Sequence, residues 1–262
     1  MTMQTNMKRV FISGGAAGIG RATAQHFIDA GYTVGIADIQ KATLQRTAKA
    51  LGPLCHAYTL DVCDPAAWNR ALTDFAGSEG RLDVLINNAG ILFAGRAEAI
   101  SFEQHSKLID INTKGVIAGC QAALPFLKNT PDSRVINLCS ASAIYGQPSI
   151  ASYSASKFFV RGWTEALNIE WADHGIKVLS VWPIFVKTAM VVNAPEMTSA
   201  AKMGVSLTPD DVARVLLKLA RQSRPAVHTP IGLQTTVFRR FVDLMPTALN
   251  RRLVAHMADY RG

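Results

Sequence analysis

Through most of the chain, short runs of consecutive apolar residues alternate with longer stretches in which apolar positions recur every three or four residues. A short run bounded by turn residues predicts a strand buried on both faces, whereas the three-to-four spacing predicts a helix with one face inward. Val10-Phe11-Ile12, within Lys8 to Ser13, is the first run, and Ala22, Ala24, Phe27 and Ile28 carry the first helical pattern. Tyr32 to Ala37 reads as the second strand, Lys41 to Leu51 as a helix, Leu54 to Leu60 as the third strand and Pro65 to Ala76 as the next helix. Val84-Leu85-Ile86 and Val135 to Cys139 are further strands, separated by a long helical pattern from Phe102 to Lys128 that Asn112 and Gly115 interrupt. Asn112 suits either a kink, with or without an internal water, or a solvent-facing position. Thr208-Pro209-Asp210-Asp211 opens a helix to Arg221 with a capping hydroxyl, a first-turn proline and two acids on the positive end of the dipole. Ala226 to Thr229 reads as the last strand. The alternation predicts an α/β fold, a parallel sheet wound with helices on both faces.

The turns after these strands carry the chemistry. Ser13-Gly14-Gly15-Ala16-Ala17-Gly18-Ile19-Gly20 follows the first strand and opens a helix. Glycines there allow a tight turn and let backbone N–H groups approach a pyrophosphate at the helix N-terminus, although a plain strand–helix joint has the same composition. Asp38 ends the second strand eighteen residues beyond Gly20. Its carboxylate can accept both ribose hydroxyls of an adenosine and would repel a 2′-phosphate; it also suits a cap for the next helix. Neither Ala17 nor Ile39 offers a cation, so NAD(H) is favoured over NADP(H). Asn87-Asn88-Ala89-Gly90 follows the fourth strand, in a composition that lets backbone lie against a ring system. Asn87, Ser140 and the segment after Pro183 are all expected on the carboxyl edge of the sheet, where open α/β sheets bind ligands.

Tyr153 and Lys157 stand four residues apart in the next helical pattern, on one face. To serve as a base near neutrality, a phenol must come down roughly 3 pKa units, about 4 kcal/mol. A unit positive charge ~4 Å away at an effective dielectric of about 20 supplies that much. The pair therefore makes Tyr153 a candidate acid/base group with a lysine-lowered pKa.

Composition narrows the reading. Of 262 residues, 49% are apolar and 18% charged, ample for a buried core. The net charge of +8 is scattered until the last quarter, with no run of five like charges, which argues against a nucleic-acid partner. Cys55, Cys63, Cys120 and Cys139 form no C-x-x-C pair and read as buried reduced thiols. The six histidines are too dispersed for a metal site, so no metal is expected. Without a signal-peptide core near Met1 to Arg9 or an apolar run long enough to span a bilayer, the expectation is a soluble, cytoplasmic protein.

Taken together, Ser13-Gly14-x-x-x-Gly18-Ile19-Gly20, Asp61-Val62, Asn87-Asn88-Ala89-Gly90, Asn112, Ser140, Tyr153-x-x-x-Lys157 and Pro183-x-x-Val186-x-Thr188 resemble the short-chain dehydrogenase/reductase family over residues 8 to 230. The resemblance implies a single Rossmann-like domain, 8–230, with a short helical extension over 231–262. It implies a catalytic tetrad: Tyr153 exchanging a proton with the substrate oxygen, Ser140 hydrogen-bonding that oxygen, Lys157 holding the nicotinamide ribose, and Asn112 seating a water that links Lys157 to solvent. Gly14, Ala17, Gly18, Ile19 and Gly20 would take the pyrophosphate turn, Asp38, Ile39, Asp61 and Val62 the adenosine end, and Asn88, Ala89 and Gly90 the ribose. Pro183, Val186 and Thr188 would meet the carboxamide and phosphates, and Tyr153 and Lys157 would also touch the cofactor. A homodimer or homotetramer is implied as well. Two departures stand out: Ser13 in place of threonine, which keeps the hydroxyl, and Ile184 in place of glycine, which restricts the turn and would project near the nicotinamide.

Beyond Thr188 the chain is variable. Met190, Val191, Val192, Met197 and Met203, with Phe93, Ile144, Tyr145, Trp182 and Phe185, suggest a hydrophobic alcohol or ketone as substrate, although such residues also simply pack cores. Val237 to Met245 and Leu249 to Met257 read as amphipathic basic segments. A pocket or subunit-contact role is expected ahead of an anionic membrane surface, because Asp243 and Asp259 dilute the charge. The leading expectation is an NAD-dependent alcohol dehydrogenase or ketone reductase, and the alternative is a catalytically silent dinucleotide-binding scaffold.

Overall fold

The structure is a computed structural model that describes residues 7–192, 194, 204–242 and 244–260. Met197, Met203 and Asp243 lie outside the described residues. In chain order the elements are β1 (Arg9–Ser13), α1 (Gly18–Asp29), β2 (Thr33–Asp38), α2 (Lys41–Leu51), β3 (Cys55–Thr59), α3 (Pro65–Ala76) and β4 (Val84–Asn87). These are followed by α4 (Phe102–Ile109), α5 (Gly115–Lys128), β5 (Arg134–Leu138), α6 (Ala151–Glu170), β6 (Lys177–Pro183) and α7 (Ala189–Val192). After the undescribed stretch come α8 (Pro209–Arg221), β7 (His228–Ile231), α9 (Leu233–Val242) and α10 (Thr247–Met257).

The seven strands form one parallel sheet in the order β3-β2-β1-β4-β5-β6-β7. The order reverses between β1 and β4, which opens a crevice beyond their carboxyl ends. Strand side chains alternate between faces. Phe11, Leu85, Val135 and Trp182 join Trp68, Phe75 and Cys120 in one apolar layer, which α3, α5 and α6 cover. Val10, Ile12, Ile86 and Val181 join Phe27, Leu44 and Leu216 in the other, which α1, α2 and α8 cover. Burial on both faces explains why the strands read as unbroken apolar runs.

The predicted capping of α8 is present in full: Thr208 Oγ1 accepts from the Asp211 N–H, and Asp211 Oδ2 accepts from the Thr208 N–H at 2.8 Å. The long pattern from Phe102 to Lys128 is not one regular helix, because Asp110–Lys114 forms a π-turn between α4 and α5. The wide turn carries Asn112, which resolves the choice left open by the sequence: the side chain is buried, not solvent-facing. The four cysteines are free, but only Cys120 and Cys139 are buried; Cys63 is exposed because it sits in the Asp61–Asp64 turn, its N–H bonded to Asp61. Among the described residues no helix is long and apolar enough to cross a membrane, and no cluster of metal-ligating side chains occurs.

Candidate active site

The carboxyl ends of β1 to β6, with helix α6, shape the crevice. At the end of β1 the chain bends at Gly14, whose φ of +65° lies in the left-handed region. A Cβ there would stand 2.9 Å from Ala89 Cα, so the approach of the two segments requires glycine. Ser13 ties them together. Its Oγ accepts from the N–H groups of Asn88 and Ala89, both at 3.1 Å, while Asn88 Nδ2 donates to the Ser13 and Gly14 carbonyls at 2.9 Å. The serine hydroxyl thus serves where threonine is usual. Gly20 lies under the bend: a Cβ on it would come within 2.1 Å of the Gly14 carbonyl oxygen.

At the end of β2, Asp38 Oδ2 accepts from the Ala16 N–H at 3.2 Å and Oδ1 from the Gln40 N–H at 3.0 Å. The carboxylate therefore braces the glycine bend and the approach to α2 while still lining the crevice; Gln40 occupies the cap position of that helix. Asp61 Oδ1 accepts from the Cys63 N–H at 2.9 Å and holds the turn beyond β3.

The opposite end of the crevice belongs to α6 and β5. Ser140 follows β5, its Oγ accepting from the Ser142 N–H at 3.2 Å. Tyr153 and Lys157 project from the first two turns of α6. Lys157 Nζ donates to the Leu138 carbonyl at 2.8 Å and lies 5.4 Å from the centre of the Tyr153 ring. Burial holds the lysine amine below its ordinary range and pushes the phenol up to about 12, while a hydrogen bond with Ser140 pulls the phenol back down. Burial thus works against the expected lysine-lowered phenol, since it discourages the charged form of both groups, and the amine donates to the Leu138 carbonyl.

Behind Lys157, Asn112 makes a two-way bond with Ile91, accepting its N–H at 2.8 Å and donating to its carbonyl at 3.0 Å. The same Nδ2 reaches Ser156 Oγ at 3.2 Å, and Ser156 donates to the Tyr153 carbonyl at 2.7 Å. The π-turn thus grips both the segment after Gly90 and the turn that carries the phenol.

The crevice has a volume of about 450 Å³. It gathers Gly14, Ala17, Gly18 and Ile19 from the bend, Asp38, Ile39, Asp61 and Val62 from β2 and β3, and Asn88, Ala89 and Gly90 after β4. Ser140, Tyr153, Lys157, Pro183, Val186 and Thr188 complete it, and of the predicted site residues only Gly20 and Asn112 stand behind its walls. Ile184 also lines it, with no left-handed backbone to strain its branched side chain. Ile91, Ile111 and the Leu138 carbonyl were not expected at the site, Ile111 reading only as an inward position of the long helical pattern; each lies beside a recognised motif and nothing in its residue type marks it. A wider surface groove of about 640 Å³ runs along the β3 edge past Lys49, His56, Tyr58 and Asp74, and it holds none of the predicted residues.

Asn87 ends β4 on the carboxyl edge, as expected, but its side chain turns into the sheet, donating to Asn137 Oδ1 at 2.9 Å, because residues 85 and 87 share the face covered by α5 and α6. The apolar residues expected around a substrate divide by direction. Trp182 points to that same face, donating to Ser180 Oγ at 2.7 Å between the guanidiniums of Arg161 and Arg239. Ile144 and Tyr145 pack on the same layer, and Phe93 is half-buried outside the crevice lining. Phe185 and Val191 do gather near the phenol, in an apolar cluster with Ile150, Leu92 and the Tyr153 ring.

Comparison with known proteins agrees with this architecture. The short chain dehydrogenase family pattern matches residues 8–199. The chain is 32% identical over 213 residues to 3-alpha-(or 20-beta)-hydroxysteroid dehydrogenase of Mycobacterium tuberculosis, covering 81% of this chain and 82% of that protein. It is 32% identical over 235 residues to 3-beta-hydroxysteroid dehydrogenase of Comamonas testosteroni, covering 84% and 91%. A crystal structure of 3-ketoacyl-(acyl-carrier-protein) reductase from Brucella melitensis complexed with NADH superimposes with a TM-score of 0.79 at 27% identity, over 86% of this chain and 96% of that one. With a matching pattern over most of its length, relatives above 30% identity and the same sheet, this chain belongs to the short-chain dehydrogenase family and is a nicotinamide-dependent oxidoreductase.

Proposed function

We propose that the protein transfers a hydride between NAD(H) and a hydrophobic secondary alcohol or its ketone, with Tyr153 as the acid/base group. One observation carries the reading: Ser140, the Tyr153 phenol and Lys157 line one end of the same crevice whose far end is lined by the Asp38 carboxylate. The bend fits a dinucleotide. Gly18 has a φ of +53°, and a Cβ on it would meet only Thr188 at 3.5 Å, so backbone at the start of α1 is open to a phosphate on the positive end of the helix. Asp38 offers acceptors for ribose hydroxyls and an unfavourable charge for a 2′-phosphate, which supports NAD(H) over NADP(H).

The bound nicotinamide supplies or accepts the hydride; the chain handles the proton and the geometry. In ketone reduction Tyr153 gives its phenolic proton to the carbonyl oxygen while Ser140 holds that oxygen, and in alcohol oxidation the proton returns to Tyr153. Lys157, its amine fixed by the Leu138 carbonyl, holds the ribose. Asn112 holds the Ile91 backbone behind the amine and seats the water through which Lys157 exchanges protons with solvent. Ile184, Met190 and Val191 line the crevice, with Val191 packed in the apolar cluster that holds the Tyr153 ring, and their apolar character supports a ring ketone over a charged one. Residues 8–230 act as one domain with 231–262 as its extension, and exposed Phe158 and Ile169 on α6 support a homodimer or homotetramer.

The test is NADH oxidation against a panel of bulky cyclic, aromatic and steroidal ketones beside short 3-ketoacyl thioesters. The reading expects the ring ketones to be preferred by about tenfold or more in kcat/KM, since each buried methylene contributes about 0.8 kcal/mol. A thioester reduced faster than every ring ketone would overturn the substrate class.

A further inference from the structure

Helices α9 and α10 present an outer face opposite to that of an ordinary surface helix. Leu233, Val237 and Phe241 stand at successive four-residue steps on α9 and are 80%, 46% and 54% exposed; Leu244, 79% exposed, follows just past the helix end. Four-residue steps put the first three on one side of the helix. The outward face of α10 adds Leu249 and Leu253.

This exposure does not come from loose packing, because the same helices bury a second face. Thr235 donates to the Ile231 carbonyl, Asn250 Nδ2 donates to the Val242 carbonyl at 2.7 Å, and Val242 and Val254 are buried. Arg239 bonds the His228 carbonyl at 3.2 Å and lies over the Trp182 ring at 5.1 Å. The inner face is fixed to β7 and β6, so the outer apolar residues are held outward.

Cations sit among them. Arg240 lies on the exposed side of α9 beside Phe241, and Arg251 and Arg252 are exposed on α10. We propose that this face docks on an anionic lipid surface, the apolar side chains entering the acyl boundary and the arginines meeting the headgroups. An apolar stripe interleaved with arginines is the pattern of a helix lying in a membrane interface. A second copy of the chain fits less well. Pairing about a two-fold axis brings the same patch against itself and so draws the three arginines of one copy close to the three of the other, whereas anionic headgroups oppose them with the complementary charge.

The docking face also leads to the crevice. Beyond α10, the Tyr260 hydroxyl bonds Ser149 Oγ at 3.1 Å and its ring lies under Arg96 at 5.6 Å. Ser149 precedes Ile150, which packs with the Tyr153 ring. On the reading of a lipophilic substrate, the enzyme is seated beside the phase in which such a substrate dissolves.

Lipid docking is tested without turnover, so its failure is separable from failure of the substrate reading. Full-length protein is sedimented with vesicles of phosphatidylcholine alone or with about 30% phosphatidylglycerol, at low and high salt. Each arginine near an anionic surface strengthens binding about fivefold, so Arg240→Gln, Arg251→Gln and Arg252→Gln together should weaken partitioning onto the anionic vesicles about a hundredfold. Leu233→Ser, Phe241→Ser and Leu244→Ser together should abolish it, with NADH affinity retained as the check on folding. Wild-type protein that stays in solution with both vesicles overturns the proposal. So does an apolar triple variant that binds vesicles as well as the wild type. A triple variant that changes subunit number in analytical ultracentrifugation while vesicle binding is unchanged assigns the face to a second copy instead.

Discussion

Removing the Asn112 side chain tests how the π-turn supports the site. Asn112 is 1% exposed and makes three hydrogen bonds, two with the Ile91 backbone and one with Ser156. In Asn112→Ala each lost bond costs about 1 kcal/mol. Alanine favours the helix over asparagine by about 0.5 kcal/mol and offsets a little of that. The net loss is about 2–3 kcal/mol. For a chain of this size each kcal/mol moves the melting temperature about 2–4 °C, so a fall of about 8 °C is expected. The Ile91 segment adjoins Gly90 in the crevice wall, and Ser156 bonds the Tyr153 carbonyl, so kcat/KM should also fall. Asn112→Asp keeps the acceptor for the Ile91 N–H but loses both donors and places a carboxylate near Lys157, which should raise the lysine pKa toward its ordinary value. Urea denaturation monitored by circular dichroism, paired with steady-state kinetics, reads both effects. If Asn112→Ala keeps its denaturation midpoint and its kcat/KM within about threefold, a difference under 1 kcal/mol, the π-turn has no such role.

Two further predictions concern the ends of the crevice. Asp38→Asn removes the charge while keeping an acceptor for the bend, so kcat/KM with NADPH should rise about tenfold relative to NADH; a wild type already faster with NADPH contradicts the assignment. The raised phenol pKa fixes the pH profile. The protonated phenol, needed for ketone reduction, persists below about 12 and is lost as pH rises through that value, so reduction should be flat between roughly pH 6 and 9. The phenolate, needed for alcohol oxidation, grows on the order of tenfold per pH unit over that range, so oxidation should climb. Oxidation that levels off near pH 7 would mean that the bound cofactor lowers the phenol far more than the protein alone does.

The sheet was legible because each strand is sealed on both faces and each helix on one, which writes different apolar spacings into the chain. The late helix was legible in its cap, since Thr208 and Asp211 act locally. The glycine bend, Asp38, Ser140, Tyr153 and Lys157 were readable as positions at strand ends, and the crevice gathers all of them. What the sequence hid was direction. In a strand buried on both sides, nothing in the residue types tells Trp182 from Val181, which the register sends to opposite core layers, or Asn87, whose side chain turns inward, from Asn88, which lines the crevice. Competition between burial and charge was hidden for the same reason. A lysine four residues from a tyrosine suggests attraction, but its depth and its bond to Leu138 emerge only from packing. The outward apolar face of α9 was read simply as amphipathic, because periodicity identifies two faces without saying which one the core will take.

The central claim is that the Tyr153 hydroxyl moves the proton in this crevice. Tyr153→Phe keeps the ring against Ile150 and Phe185 and deletes only the phenolic oxygen. Turnover of the best ketone from the panel should fall by about 10²–10⁴ while the NADH dissociation constant, read by fluorescence titration, stays within about threefold. A variant that binds NADH as the wild type does and retains turnover within about tenfold would place the acid/base group elsewhere.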